Sequence, residues 1–222
     1  MSKKSTAEFF DSYAHGFNAI YGNKNTFLNN LINKYFRESM KLRYDKTIEG
    51  CYPIKGKTVI DIGCGPGHYS ITLAKKGADY ISGIDFAEAM IDLARQNAKN
   101  TGVENKCNFI LGDFMNTVIK DKFDYSIVMG FMDYIEEPWK VIEKVLSITK
   151  AKAFFSFPVE GGVLAWQRKL RYKKKCNLFM YNIEQLHELF ANLNYKKLEV
   201  EKISRDLFVT VYMENGNTGS AI

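Results

Sequence analysis

The chain has little that would suit it to an oxidising compartment or a membrane. Its four cysteines, Cys51, Cys64, Cys107 and Cys176, are widely spaced and form no C-x-x-C pair. That spacing argues against a disulfide framework or a zinc site and for reduced thiols. No uncharged apolar run is long enough to span a bilayer. The N-terminal "MSKKSTAEFFDSYAHG" has no long apolar stretch after its lysines, so it does not read as a signal peptide. A cytoplasmic location is therefore expected. Internal repeats are absent, and low complexity is confined to "ENGNTGSAI", residues 214–222, which read as a frayed tail.

What is present suits one α/β domain. The 222 residues can bury a sizeable core, and sixteen Phe and thirteen Tyr make that core, or a pocket, rich in rings. The net charge of +6 is modest, and it favours an anionic ligand over wholesale nucleic-acid binding.

Residues 1–50 read as an N-terminal helical arm. Ser5 and Glu8 form a capping-box pair, and Phe27, Leu28, Leu31, Ile32, Tyr35 and Phe36 fall at helical spacing. Pro53 and Gly56 break the pattern. From Lys57 onward, strands and helices alternate: "TVIDI", "GHYSITLAKKG", "YISGID", "AEAMIDLARQNAKNTG", "CNFILGD", "FDYSIVMG", "EPWKVIEKVLSITK", "AKAFFSFP". This order implies a parallel sheet covered on both faces, a doubly wound Rossmann-like α/β fold. Residues 51–213 form this core, with 159–181 as a lid on it. Asn182 and Gln185 cap the helix "IEQLHELFANL", and "YKKLEVEKI" and "RDLFVTVYM" end the core as an antiparallel strand pair.

The stretch "VIDIGCGPGHYS" carries the first chemical signal. A dinucleotide loop reads G-x-G-x-x-G, but here His68 stands at the third glycine position and the glycines are Gly63, Gly65 and Gly67. Asp61 ends the strand before the loop and is expected to point into the ligand crevice. An acid there opposes a pyrophosphate and suits a ligand carrying an ammonium group. Asp85 ends the second strand, at the spacing of a carboxylate that accepts from ribose hydroxyls. Asp113 ends the third, where it can accept from an adenine amino group. Phe86 and Phe114 can flank the ring, and Met90 can cover it.

With "VIDIGCGPG", "GIDFAEAM" and "LGDF" in this order, residues 57–157 resemble the class I S-adenosylmethionine-dependent methyltransferases, of the small-molecule type. The resemblance implies a seven-stranded, mostly parallel sheet whose last strand is antiparallel. It implies S-adenosylmethionine as donor and S-adenosylhomocysteine as product. The glycine loop with Asp61 and Cys64 would pass the methionine part, Asp85 the ribose and Asp113 the adenine. Met129 and Tyr21 join the expected donor contacts.

In this fold the acceptor sits beyond strand four, here "VMGFMDYIEEP". That segment lacks the Asn-Pro-Pro-aromatic stretch of adenine-amine enzymes, a Pro-Cys pair for attack on a pyrimidine, and the spaced glutamates of arginine methyltransferases. No His/Asp/Asn cluster points to a metal. What remains is a small hydroxyl- or amine-bearing acceptor. Asp133 is the first candidate for a general base, with Tyr134 beside it; a helix-entry carboxylate explains Asp133 equally well. His68 is an alternative base, and His15 and His187 read as ordinary helix or surface histidines.

The arm resembles that of magnesium-protoporphyrin O-methyltransferases, with Tyr21 before a glycine. The histidine those enzymes carry near the position of Tyr134 is missing, which argues against a porphyrin acceptor. Tyr13 is a candidate acceptor contact. In "RKLRYKKK", Arg168 and Arg171 are candidates to grip a phosphate or carboxylate, as on a phosphorylated or nucleotide-linked sugar. A solvated lid helix explains the same charges. An RNA-modifying methyltransferase and a non-catalytic S-adenosylmethionine-binding module remain alternatives, and the oligomeric state is open.

Overall fold

Helix α1, Phe27–Gly50, opens the part of the chain that the computed structural model describes, residues 27–161 and 178–214. It leads into the first of seven strands. β1 (Thr58–Ile62), β2 (Tyr80–Asp85), β3 (Cys107–Leu111), β4 (Phe123–Val128) and β5 (Thr149–Pro158) pair in parallel. The chain then makes a hairpin of β6 (Lys197–Ile203) and β7 (Asp206–Tyr212), and the sheet order is β3-β2-β1-β4-β5-β7-β6. β7 runs antiparallel to both of its neighbours, β5 and β6. The expected doubly wound, seven-stranded sheet with a terminal antiparallel strand is therefore what forms.

The helices follow from the pattern that marked them. α2 spans His68–Lys75, α3 Glu88–Asn100, α4 Pro138–Ser147 and α5 Ile183–Phe190. α3 buries Met90, Ile91, Ala94 and Ala98, a stripe at helical spacing. Pro138 sits in the first turn of α4, where a missing N–H costs nothing. At α5 the Gln185 N–H donates to the Asn182 side chain and the Asn182 N–H to Gln185 Oε1, each at 2.9 Å, the reciprocal cap read from the sequence. Two adjustments concern boundaries. Thr149 and Lys150, read as the end of a helix, begin β5 instead. α1 is also more than an arm: Thr47, Ile48 and the following Cys51 are buried with the core.

Strand alternation sorts side chains to the two faces of the sheet. Ile60, Ile62, Phe155, Phe157, Leu207 and Val209 join the cluster under α4 and α5. Val59, Phe154 and Phe208 join the other cluster, under α1, α2 and α3. Asp61, Ser156 and Asp206 lie two residues from Val59, Phe154 and Phe208, so the same period of two turns them toward α1 and α2. From β1 the chain winds outward to β3, then returns to lay β4 on the other side of β1. That reversal opens a crevice at the carboxyl ends of β1 and β4, the ligand position in open α/β sheets. No helix among the described residues is long and apolar enough to cross a membrane.

Candidate active site

A cavity of about 670 Å³ fills this crevice. Its floor is the loop after β1. The Gly63 and Cys64 N–H groups donate to the Ile84 carbonyl at 2.8 and 3.1 Å, which stitches the loop to the end of β2. Gly63, Gly65 and Gly67 all have positive φ, at 70°, 50° and 79°. They differ in what surrounds them. A Cβ on Gly63 would meet Phe131 at 2.8 Å, and one on Gly67 would meet Phe109 and Ala94 at 3.1 and 3.2 Å. A Cβ on Gly65 would meet no atom within 4 Å, because Gly65 opens onto the cavity.

Asp85 ties the floor together. Its carboxylate accepts from the Gly65 N–H and from the Ala87 N–H, both at 2.9 Å, and it lines the cavity. Phe86 and Met90 line the same side, and Met129, Gly130, Phe131 and Tyr134 line the side that follows β4. His68 sits at the rim at the start of α2, and partial desolvation holds its imidazole below the usual value. Cys64 also lines the cavity, but burial pushes its thiol far up, so it is no nucleophile at neutral pH.

Of the residues expected at the site, Gly63, Cys64, Gly65, Asp85, Phe86, Met90, Met129 and Tyr134 are thus brought together. Five others are turned elsewhere. Asp61, expected in the crevice, is 1% exposed beneath the loop and accepts from Ser70 Oγ at 2.6 Å. Gly67, the N-cap of α2, has no side chain to cap with, and Asp61 supplies the acceptor from the adjacent strand. Burial raises the Asp61 carboxyl to about 6, Ser70 opposes the rise, and the charge of Asp85 adds to it. Gly67 itself is covered by α3 and β3, so it serves close packing and not the cavity wall.

Asp113 folds onto its own turn. It accepts from the Met115 N–H at 3.0 Å and from Asn116 Nδ2 at 2.9 Å, and it does not line the cavity. Phe114 is 2% exposed in the core and not beside the crevice. Lys144 of α4 lies 4.8 Å from its ring centre and donates to the Phe114, Met115 and Thr117 carbonyls. Phe131 supplies the ring on the opposite wall instead.

Asp133 lies off the cavity lining. It belongs to the 3₁₀ turn Met132–Tyr134, where successive side chains point about 120° apart. With Tyr134 on the cavity wall, Asp133 is turned inward and is 2% exposed. Its charge reaches Tyr181 instead, whose phenol is pushed up to about 12, chiefly by burial and then by Asp133. Its backbone carbonyl accepts from the Phe179 N–H at 2.9 Å. Tyr13, His15, Tyr21, Arg168 and Arg171 lie outside the described residues, as does the Ser5–Glu8 pair.

The cavity also has a wall that the sequence reading missed. α1 contributes Met40, Lys41, Arg43 and Tyr44, and α2 adds Tyr69 and Thr72. Tyr44 Oη and Thr72 Oγ1 are 2.5 Å apart, and the Tyr44 and Tyr69 rings lie 5.3 Å apart. The available signal was the spacing of Met40, Tyr44, Ile48 and Cys51, three or four apart, which sets one face of α1 inward. Among the described residues no three His, Cys, Asp or Glu side chains group to hold a metal ion.

Comparison with known proteins agrees with this layout. A family model described as "Methyltransferase domain" matches residues 54–201. A ubiquinone biosynthesis O-methyltransferase of Coxiella burnetii (strain Dugway 5J108-111) is 33% identical over 117 residues, 50% of this chain and 47% of that protein. One from Stutzerimonas stutzeri is 32% identical over 105 residues, 46% of this chain and 45% of that protein. The chain thus spans about half the length of the curated relatives it matches. The magnesium protoporphyrin IX methyltransferase of Synechocystis PCC 6803, solved with bound SAH, superimposes with a TM-score of 0.77. It is 19% identical, with 96% of this chain and 100% of that one covered. The chain belongs to the methyltransferase-domain family, as the resemblance of its motifs to the S-adenosylmethionine-dependent methyltransferases implied.

Proposed function

We propose that this chain transfers a methyl group from S-adenosylmethionine to a hydroxyl of a small, planar aromatic acceptor. The observation that carries the donor half is the Asp85 carboxylate, held by the Gly65 and Ala87 N–H groups on the floor of the crevice. A carboxylate so fixed presents its oxygens to a ribose diol, with the open face of Gly65 beside it for the thioether chain. Phe86 and Met90 cover the adenine. Arg43 is the largely buried cation of the opposite wall, and we assign it to the carboxylate of the donor's amino-acid tail.

The donor supplies a methyl group on a sulfur that leaves readily. The chain's own part is to hold the acceptor oxygen in line and to keep water out. Phe131, Tyr134, Tyr44 and Tyr69 form a wall of rings on which a planar acceptor can stack. As the oxygen–carbon bond forms, the hydroxyl proton must leave. His68, the only imidazole on this wall among the described residues, is neutral at pH 7 and able to take it. Asp133, turned inward, is not assigned that role.

The cavity's rings and thioethers suit an aromatic body better than a sugar, whose hydroxyls need a polar wall. A nucleotide-linked sugar is therefore not the acceptor we favour. The curated relatives are named as O-methyltransferases, which supports oxygen as the atom methylated. The test is release of S-adenosylhomocysteine with two acceptor panels, hydroxylated benzoates and quinols in one, nucleotide-linked sugars in the other. Turnover is expected with the aromatic panel, its acid limb lying below the ordinary histidine value near 6.5. Turnover with the sugar panel alone would overturn the acceptor assignment.

A further inference from the structure

The β6–β7 hairpin lies far from the glycine loop in sequence, yet its first β7 residue stands behind Arg43, a residue of the cavity wall. Asp206 pairs with Pro158 of β5, and Phe208 pairs with Ser156. Alternation along the two strands turns Asp206 and Ser156 to one face, toward α1. Asp206 is 2% exposed and Ser156 1%.

Three side chains from distant parts of the chain converge there. Ser39 Oγ donates to Asp206 Oδ2 at 2.6 Å, and Arg43 Nε lies 3.5 Å from the same oxygen. Arg43 Nη1 donates to Ser156 Oγ at 3.2 Å, and Ser156 Oγ also accepts from the Gly130 N–H at 2.8 Å. Ser39 and Arg43 are four apart on α1, so one helix face meets one carboxylate. Arg43 and Gly130 line the cavity, whereas Ser39, Ser156 and Asp206 do not. The buried three thus fix a guanidinium that the cavity presents, and Ser156 also anchors the backbone at Gly130.

A guanidinium has five N–H donors in a rigid fork, so the ionic contact of its Nε side with Asp206 and the Nη1 bond to Ser156 together set where the remaining donors point. A largely buried Arg without a counter-charge would turn toward water, and a flexible side chain recognises an anion less well than a fixed one. We propose that Asp206 is a positioning residue for donor recognition: through Arg43, it makes the site selective for a ligand with a carboxylate-bearing tail. The inference rests on the reading that the donor's tail meets Arg43. It couples the terminal hairpin, an element outside the glycine loop and its acids, to affinity for the tail.

The experiment is calorimetric titration of the full chain with two ligands. S-adenosylhomocysteine carries the amino-acid tail, and 5′-methylthioadenosine has the same adenosine and thioether without it. In Asp206→Asn, affinity for S-adenosylhomocysteine is expected to fall roughly tenfold or more, the effect of loosening one charge-assisted contact. Affinity for 5′-methylthioadenosine should change by less than about twofold. In an Arg43→Met background the Asp206 change should add nothing for either ligand. Ser39→Ala leaves both charges in place and should show the same selective loss at smaller size; it carries the test if Asp206→Asn does not fold.

Equal weakening of both ligands, or unchanged affinity for both, overturns the positioning role while the donor site stands. An unmodified chain that binds neither ligand overturns the donor-site reading and this inference with it.

Discussion

On the β1–β2 side of the crevice the wall is made of backbone and of residues near one another in sequence. On the α1 side the wall residue Arg43 is held from behind by side chains brought from far apart, Ser156 of β5 and Asp206 of β7. Gly65 and Asp85 are twenty residues apart and meet through a backbone N–H. Ser39 and Asp206 are 167 residues apart and meet through side chains alone. The first kind of wall depends on glycines and strand ends, which any reader of the chain can find. The second depends on strand register and helix packing, which appear only once the sheet is assembled.

The largest effect expected from breaking the first wall is on Asp85. Asp85→Ala removes an acceptor for two ribose hydroxyls and loosens Gly65. At about 2 kcal/mol for each bond to a charged group, affinity for S-adenosylhomocysteine should fall on the order of a thousandfold. Calorimetry checks this, and a loss under about tenfold would place the ribose elsewhere.

Asp61 tests the layer beneath that wall. Its carboxyl is raised from 3.8 to about 6 in the folded chain. Between those values the folded chain holds a proton that the unfolded chain has released. Its contribution to stability is therefore fully present below about pH 4, falls as pH rises to about 6, and is level above. The span is worth on the order of 3 kcal/mol. Asp61→Asn should flatten that slope in denaturant melts taken across this range. A slope that persists unchanged would show that another group causes it.

The glycines sharpen the comparison further. Gly83 lies within β2, and a Cβ there would meet Phe109 at 2.6 Å. Gly83→Ala should cost about 2 kcal/mol of stability through overpacking and leave the affinity of the folded fraction unchanged. Gly65→Ala meets no protein atom but has positive φ. It should cost only about 1 kcal/mol of stability while its methyl obstructs the donor. Thermal melts and titrations, read together, separate the two. The smallest effect belongs to the ion pair of Lys46 and Glu201 on the exposed side of α1, 2.7 Å apart. Lys46→Ala should change stability by about 0.5 kcal/mol or less. A larger loss would mean that the hairpin is held to α1 from outside as well as through Asp206.

This contrast explains what could be read from the residues alone. The strands, their alternation with helices and the antiparallel finish were legible because buried strands and amphipathic helices leave periodic traces. Asp85 and Gly65 were legible because a turn that needs positive φ and an acid at a strand end leave a local signature. Asp61 misled because alternation along β1 sends it to the α2 face, under the loop and not into the crevice. For Asp133 the sequence left a base and a local carboxylate equally open, because the side a residue takes in the turn Met132–Tyr134 depends on packing and not on spacing. Arg43, Ser156 and Asp206 left no trace, because each is an ordinary residue whose meaning comes from a partner on another strand or helix.

The donor site proposed for the crevice between β1 and β4 is built on Asp85. The most direct measurement is calorimetric titration of S-adenosylhomocysteine into the intact chain at pH 7, alongside Asp85→Ala. One site per chain is expected, with Kd on the order of micromolar for the intact chain and no measurable heat for the variant. Absence of binding to the intact chain at about millimolar ligand, or equal binding by both proteins, would contradict it.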